Sequence, residues 1–277
     1  MLHSTHRANL MLNLIAATRA EAEPVIQAMK LKHKSGSFPL FCSDSTALVV
    51  SGIGKCRAAA ACAWLAALSD NLESKPGCWI NFGIAGHPQA TLGSVFTAHK
   101  ITDHHNNKVW YPPQIHSPLP TSDLTTVDKP LEQYLPGQLH DMEASGFIDI
   151  ARMFTSAELV QCVKVVSDNT DNPLDNINPE TAQKAVSDNI PMITNLAEHL
   201  IDLADTIATN KSAILGEFCQ QWHFSVSQKV KLERLLQRHD ALNRSMQSIP
   251  QELTDVKSAK SVLNWLDSQL EDADYST

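Results

Sequence analysis

Short apolar runs alternate with helical patterns from residue 11 to about residue 205 of this 277-residue chain. The runs have the length and composition of β-strands, and the stretches between them are long enough to be crossover helices. Predicted strands are residues 12–17, 47–51, 79–82, 95–98 and 161–166, and predicted helices are 21–29, 55–68, 145–154 and 192–208. This alternation predicts an α/β fold in which helices cover a central mixed sheet.

Two stretches interrupt the alternation. Residues 83–86, with the sequence Gly-Ile-Ala-Gly, are predicted to form a glycine loop between two strands. Residues 103–137 are rich in proline and poor in periodicity. This composition predicts a loop-rich insert in which residues 124–127 form a weak strand at most.

The two ends of the chain have other patterns. Residues 1–10 are predicted to be a flexible N-terminus, and residues 206–277 lose the strand-like runs. Apolar residues near helical spacing mark that tail: Val226, Val230, Leu235, Leu242, Val262, Leu263, Leu266 and Leu270. The tail is therefore predicted to be a helical C-terminal extension, which either packs on its own chain or docks a partner. Trp222, Phe224 and Trp265 are candidate anchors in both cases.

Composition limits the partners. The chain has 22 Lys and Arg residues against 30 Asp and Glu residues, a formal net charge of −8. Without a basic stripe there is no source for the counterion-release attraction that drives nucleic-acid binding, so a nucleic-acid partner is disfavoured. No apolar run approaches the roughly 20 residues that cross a bilayer. The first apolar segment fits a β-strand better than a signal sequence, so we expect a cytoplasmic protein.

Cysteine and histidine spacing argues against metal sites. The six cysteines are scattered without a Cys-x-x-Cys pair, which favours buried free thiols in a reducing compartment. The 12 histidines include no His-Glu-x-x-His motif. The one suggestive cluster, Asp103-His104-His105, is interpreted as a solvated loop. We expect neither a metal nor a cofactor.

Gly52 and Gly54 lie between a predicted strand and a predicted helix, where backbone N–H groups attract anions. The Walker phosphate loop needs glycine at the place of Val49 and Ser or Thr at the place of Cys56. The dinucleotide fingerprint needs glycine at the place of Arg57. Since both patterns fail, the two glycines are interpreted as a tight turn.

Three acidic residues fall at or just past the carboxyl ends of predicted strands: Glu21, Glu143 and Asp168. Open α/β sheets bind their ligands at that edge. Each acid alone fits a helix cap or a first-turn charge. Their shared position favours a common site.

Five short motifs carry a resemblance: Ala17-Thr-Arg-Ala-Glu21, Ser51-Gly-Ile-Gly-Lys55, Gly83-Ile-Ala-Gly86, Asp141-Met-Glu-Ala144 and Val166-Ser-Asp168. In this order they resemble the marks of the nucleoside phosphorylase superfamily, and most of all its methylthioadenosine/S-adenosylhomocysteine nucleosidases. The resemblance implies a three-layer phosphorylase-like domain over residues 11–205. It does not reach residues 206–277.

The resemblance implies cleavage of the N-glycosidic bond of a purine nucleoside or thionucleoside. That reaction needs an acid for the departing base, a polar grip on the ribose hydroxyls and a nucleophile. By resemblance, Asp168 protonates the purine ring and Glu21 activates water as the two catalytic residues. The substrate-binding set implied is Met142, Glu143, Gly54, Ala85, Gly86 and Ser167. A small-molecule nucleoside is the expected partner, and a homodimer the expected assembly.

Water is favoured over phosphate as the nucleophile. Phosphorolytic members of the hexameric purine type bind phosphate with a Pro-Gly-Asp-Pro-x-Arg loop, which this chain lacks. Arg19 and Arg57 lie near the predicted site, so phosphate stays open as a second partner.

Two departures favour an alternative, a nucleoside-binding or interaction protein without efficient turnover. Ile84 stands where the nucleosidase branch has a small polar residue, and residues 104–141 are a shorter segment than in typical members. The base and the 5′ substituent of the ligand stay open.

Overall fold

A computed structural model describes residues 12–68, 77–115, 117, 119–131, 134–173, 177–241, 246 and 248–274. The predicted flexible segment 1–10 lies outside these residues. The chain separates into two compact units, one ending at Asp205 and one beginning at Thr206.

Ten strands form one sheet within the described residues. They are β1 (Leu12–Ala16), β2 (Lys32–Lys34), β3 (Leu40–Cys42), β4 (Thr46–Val50), β5 (Cys78–Gly86), β6 (Val95–Asp103), β7 (Val109–Trp110), β8 (Thr121–Thr126), β9 (Leu139–Asp141) and β10 (Val160–Asp168). The sheet is mixed, because β1 pairs with β4 and β5 in parallel whereas β6 pairs with β10 antiparallel.

The described helices are α1 (Arg19–Ala28), α2 (Lys55–Leu68), α3 (Ala144–Ala151), α4 (Pro179–Asp188), α5 (Ile190–Gln221), α6 (Val226–Ala241) and α7 (Ala259–Asp274). Each of the first two follows a strand of the sheet. The expected α/β architecture, with a central mixed sheet, helices packed on it and helices in the C-terminal stretch, is confirmed. No described helix is both long and apolar enough to span a membrane.

One part of the sheet closes on itself. The strand order is β10-β6-β8-β9-β5-β1-β4-β3-β2, and β10 also pairs in parallel with β5. The strands β5, β10, β6, β8 and β9 therefore form a ring, while β1, β4, β3 and β2 extend as an open sheet. Strand β1 pairs with the first half of β5, whereas β10 follows β5 as far as Gly86 and β9 pairs with it at Gly86. The carboxyl end of β5 is therefore the place where β9 and β10 meet.

The core of the first unit lies between the sheet and the helices α2 and α3. Helix α2 contributes small side chains, among them Ala58, Ala61 and Cys62, which let it approach the sheet closely. Helix α3 contributes Phe147 and Ile148 to the same cluster. The alanine-rich pattern of residues 55–68 thus reflects close packing.

The second unit has a core of its own. Helices α5, α6 and α7 and the residue that follows α5, Trp222, supply the buried residues of this core. Those in the helices include Phe218, Leu232, Leu235, Leu263 and Leu266. Trp222 also donates its ring N–H to the Val256 carbonyl at 2.6 Å. Phe224 and Trp265, the other predicted anchors, pack partly buried against this cluster.

Three local predictions are wrong. Residues 83–86 are not a loop between strands, because they continue β5 as far as Gly86. Residues 124–127 overlap β8, a six-residue strand paired on both sides by β6 and β9. Asp103 is not solvated: it ends β6 with 4% exposure and bonds Lys55 and Ser145, while His104 and His105 are exposed as expected.

The thiols match the sequence interpretation in part. All six cysteines are free, and Cys62, Cys78 and Cys162 are buried. Burial raises the pKa of the Cys78 thiol to about 12, so this thiol stays protonated at neutral pH. Cys42 is half-buried, and Cys56 and Cys219 are exposed, so burial holds for three of the six thiols.

Gly146 permits the contact between α2 and α3. A Cβ added to Gly146 would collide with the backbone carbonyl of Lys55. Backbone cannot rotate away as a flexible side chain can, so we expect Gly146→Ala to destabilise the protein by roughly 1–3 kcal/mol, despite its better helix propensity. Urea denaturation followed by circular dichroism measures the change.

Gly216 provides the matched control. It lies within α5, and a Cβ there would meet nothing within 4 Å. Gly216→Ala is expected to be neutral or to stabilise by up to about 1 kcal/mol, from helix propensity alone. Equal effects of the two substitutions would show that Gly146 has no packing role.

Candidate active site

Glu21 is fixed at the start of α1 by a reciprocal cap. Thr18 donates its backbone N–H and its hydroxyl to Glu21 Oε2, each at 2.7 Å, and its hydroxyl oxygen accepts the N–H of Glu21. The other carboxylate oxygen accepts the N–H of Ile84 on β5 at 3.0 Å. A side chain at position 83 would collide with this carboxylate, so Gly83 makes room for it. Three donors thus hold a buried carboxylate against β5.

Ile84 stands where the nucleosidase branch has a small polar residue, and its contact with Glu21 shows whether that side chain is needed. The contact is made by the backbone N–H of Ile84, which any residue except proline supplies. A small polar side chain is therefore not required to hold Glu21 in this chain.

Asp168 is the last residue of β10 and lies beside Gly86 of β5 in the parallel register. Its Oδ1 accepts the Ser167 hydroxyl at 2.5 Å, and its Oδ2 accepts the hydroxyl of Tyr134. A Cβ on Gly86 would lie 2.6 Å from Asp168 Oδ2, so glycine is needed for this close approach. Asp168 is therefore positioned by the strand pairing and by two hydroxyl donors.

Glu143 lies in the turn between β9 and α3. Its Oε1 accepts the N–H of Gly54 at 2.8 Å, and its Oε2 accepts the N–H of Met142 at 3.4 Å. Gly54 has a φ of +108°, so the tight turn predicted from its sequence brings this N–H to Glu143. Burial, with the nearby Asp141 carboxylate, raises the pKa of Glu143 to about 7, against a smaller opposing effect of Lys164.

A buried ion pair lies next to Glu143. Lys164 of β10 and Asp141 of β9 are 1% and 4% exposed, and Lys164 Nζ is 2.8 Å from Asp141 Oδ2. Asp141 also accepts the Thr126 hydroxyl and the N–H of Ala144. Burial alone would lower the pKa of Lys164, but the carboxylates of Asp141 and Glu143 outweigh it and raise that pKa.

The three acids predicted from sequence lie around the carboxyl end of β5. Glu21, Glu143 and Asp168 are 4%, 6% and 3% exposed. Glu21 bonds β5 at Ile84, and Asp168 packs on the same strand at Gly86. The charge of Glu21 is close enough to contribute to the raised pKa of Glu143. Carboxylates buried together in this way are typical of functional sites.

The other predicted binding residues lie in the same region. Ser167 donates its hydroxyl to Asp168 and lies 3.4 Å from the carbonyl oxygen of Ala85. Gly54 and Met142 direct their backbone N–H groups at Glu143. Their roles toward a ligand stay predictions.

Sequence reasoning missed four polar residues beside these acids: Asp141 and Lys164, described above, and Tyr134 and His140. Lys164 has a recognisable signal, because it interrupts a continuous apolar run that is typical of a strand buried on both faces. A lysine buried in such a strand needs a carboxylate partner. Tyr134 has no such signal in a segment without periodicity. Burial lowers the pKa of His140, whose Nε2 accepts the N–H of Leu135 at 3.3 Å.

The raised pKa of Glu143 makes a prediction about stability. A carboxyl group whose pKa is higher in the folded state stabilises the fold fully below its ordinary pKa of 4.5, and this stability is lost as pH rises to about 7. Glu143→Gln removes that titration and keeps an acceptor for Gly54. We expect the stability of the variant relative to the parent to increase by about 3 kcal/mol between pH 4.5 and pH 8.

Urea denaturation of both proteins at several pH values measures this difference. The same substitution at exposed Glu180 is the matched control. A difference between Glu143→Gln and the parent that stays constant with pH would contradict the assignment.

Among the described residues, no group of three or more His, Cys, Asp or Glu side chains is arranged to hold a metal ion. Of the two arginines considered for phosphate, Arg19 bonds Glu23 at 2.6 Å and lies 4.2 Å from the ring centre of Phe41. Arg57 lies against Gly52, at the turn before α2.

No family model matches this sequence, and no curated protein does. Solved structures match it by fold. One is the Helicobacter pylori 5′-methylthioadenosine/S-adenosylhomocysteine nucleosidase with butyl-thio-DADMe-Immucillin-A, at 11% identity and a TM-score of 0.57, covering 69% of this chain and 98% of that one. The corresponding nucleosidase from Colwellia psychrerythraea, in complex with adenine, has 16% identity and a TM-score of 0.55, covering 69% and 96%.

A third match is the futalosine hydrolase of Helicobacter pylori, at 10% identity and a TM-score of 0.56, covering 69% of this chain and 98% of that one. At these low identities the structural match establishes the architecture alone, and the activity has to be argued from the site. The structural neighbours are members of the superfamily that the five sequence motifs resemble. This chain therefore has the fold of the nucleoside phosphorylase and nucleosidase superfamily, with additional C-terminal helices.

Proposed function

We propose that this protein hydrolyses the N-glycosidic bond of a purine nucleoside or thionucleoside. The observation that carries the proposal is the group of three buried carboxylates, Glu21, Glu143 and Asp168, around the carboxyl end of β5. The fold agrees, since the matching solved structures include nucleosidases and a futalosine hydrolase.

We assign each of the three carboxylates a different role, according to its position. Asp168, at the end of β10, protonates the departing base, because an uncharged base leaves more readily than an anion. Glu143 accepts hydrogen bonds from the ribose hydroxyls, for which its two oxygens suit a vicinal pair. Glu21, held between α1 and β5, takes a proton from the attacking water. The general acid, Asp168, and the general base, Glu21, thus contact β5 two residues apart, at Gly86 and Ile84.

Water is the proposed nucleophile. Phosphate would need charged donors directed into the site. Arg19, one of the two arginines considered, is 53% exposed and already paired with Glu23. The homodimer stays a prediction from the resemblance, and the cytoplasmic location stays a prediction from the sequence.

A second candidate is a nucleoside-binding protein with little or no turnover. The observation that favours it is the hydroxyl of Tyr134, which bonds Oδ2 of the proposed acid, Asp168.

The test is direct incubation of the purified full-length protein with methylthioadenosine, S-adenosylhomocysteine, adenosine and inosine, with and without phosphate. Chromatography follows the free base, and the sugar product distinguishes a free sugar from a sugar phosphate. Release of base without phosphate supports hydrolysis. Release only with phosphate would replace hydrolysis by phosphorolysis, and binding without release would favour the second candidate.

A further inference from the structure

Tyr134 contacts Asp168 and Gly86, two residues of the proposed site that are expected to meet the purine base. Its hydroxyl bonds Asp168 Oδ2, and a Cβ on Gly86 would lie 2.7 Å from Tyr134 Cε1. The phenol ring therefore packs over the backbone of Gly86 while its hydroxyl contacts the acid. Burial, followed by the bond to Asp168, raises the pKa of Tyr134, so the phenol remains a donor at neutral pH.

The bond from Tyr134 has the chemistry of the bond that a leaving base needs. A base that takes a proton from Asp168 leaves an N–H group donating to the resulting carboxylate. In this structure Asp168 Oδ1 accepts the Ser167 hydroxyl and Oδ2 accepts the Tyr134 hydroxyl. The phenol is a planar ring with a donor aimed at the carboxylate, so it imitates the edge of a protonated base.

A second contact holds the backbone next to Tyr134. His140 on β9 accepts the N–H of Leu135 through Nε2 at 3.3 Å, and its ring centre lies 5.9 Å from that of Tyr134. Burial lowers the pKa of His140, which keeps the imidazole neutral and able to accept this bond. The position of Tyr134 on Asp168 is therefore supported from two sides.

We propose that Tyr134 is an internal competitor for the base position: its phenol occupies Asp168 and Gly86 in the free protein, and a purine base must displace it to bind. This inference rests on the proposed function, since it takes Asp168 as the acid that meets the base. Its consequence is selectivity, because only a ligand whose bonds to Asp168 and stacking on Gly86 outweigh those of the phenol is admitted. The measured affinity equals the intrinsic affinity multiplied by the fraction of molecules in which the Tyr134 phenol has left Asp168.

Two substitutions separate the parts of this competition. Tyr134→Phe removes the hydroxyl and keeps the ring, and Tyr134→Ala removes both. Hydrogen bonds to charged groups contribute enough that we expect adenine to bind about 10- to 100-fold more tightly to Tyr134→Phe, and at least as tightly to Tyr134→Ala. Tyr111→Phe is the matched control, because Tyr111 is 69% exposed, and it is expected to bind adenine as the parent does.

The experiment is calorimetric titration of the parent and the three variants with adenine, together with cleavage of methylthioadenosine. Circular dichroism spectra confirm that each variant is folded. Tighter adenine binding by both Tyr134 variants supports the competitor. Weaker binding would make Tyr134 a ligand contact instead, and equal or undetectable binding in all four proteins would also overturn the proposal.

The cleavage assay distinguishes this proposal from the proposed function. Tighter adenine binding by the variants, without cleavage of methylthioadenosine, S-adenosylhomocysteine, adenosine or inosine, would refute hydrolysis and leave the role of Tyr134 intact. Cleavage by the parent with unchanged adenine affinity in the variants would refute the role of Tyr134 and leave hydrolysis intact.

Discussion

Asp168→Asn is expected to reduce release of the base from a cleaved nucleoside by about 10²–10⁴-fold, the usual contribution of a positioned general acid. The substitution nearly preserves shape and leaves an oxygen to accept the Ser167 hydroxyl. An amide cannot donate the acidic proton that a departing base takes. Initial rates with saturating nucleoside, followed by chromatography of the free base, measure the loss.

Asp171→Asn is the matched control, since Asp171 is an exposed acid a short distance further along the chain. We expect it to retain the rate of the parent. If Asp168→Asn turned over substrate as fast as this control, Asp168 would have no part in the mechanism, and its contacts with Ser167 and Gly86 would be purely structural.

Lys164→Met is expected to cost about 3–5 kcal/mol of the free energy of unfolding, since removing one member of a buried ion pair leaves the other charge uncompensated. Lys164 is 1% exposed, and its ammonium is 2.8 Å from Asp141. Methionine replaces the aliphatic part of lysine with little change of volume. The carboxylates of Asp141 and Glu143 would then share a buried site without their cation. Urea denaturation at neutral pH measures the effect.

The double variant Lys164→Met/Asp141→Asn tests the cause. It removes both charges of the pair, while the amide that replaces the Asp141 carboxylate keeps an oxygen that can accept the Thr126 hydroxyl. We expect it to be more stable than Lys164→Met alone, because the uncompensated carboxylate is gone. Equal stabilities of the single and double variants would show that the loss comes from packing rather than from charge.

The acids were predictable from sequence because their positions follow from local patterns. Glu21 follows the first strand and is preceded by a capping Thr18, and Asp168 ends a β-branched strand. The carboxyl ends of parallel strands meet at one edge, so such residues converge whatever the details of the loops. Glu143 was also predicted from the strand that precedes it, but β9 is antiparallel to β5, so this rule does not place it. Glu143 lies beside the other acids because the short β9 pairs with β5 at Gly86, the carboxyl end of β5.

The contacts that Tyr134 and Lys164 make in the site were not predictable, because each joins residues that are far apart in the sequence. The bond of Tyr134 to Asp168 joins residues 34 positions apart, and Lys164 meets Asp141 only because β9 and β10 both belong to the ring of strands. Residues 83–86 illustrate the same limit. Two glycines indicate a loop by propensity, whereas here they let carboxylates approach a strand closely.

The ring of strands also determines which strands of the sheet have an unpaired edge. Strand β10 is first in the strand order, but it pairs with β5 as well as β6, so it has no free edge. Strand β2, at the other end of the order, pairs only with β3 among the described strands and is an edge strand. The described residues of β2 are Lys32, His33 and Lys34, all exposed. An edge of three residues with two lysines repels a second copy of itself and offers few backbone groups for pairing. The closure that positions Asp168 thus removes β10 as an edge at which a second copy could pair.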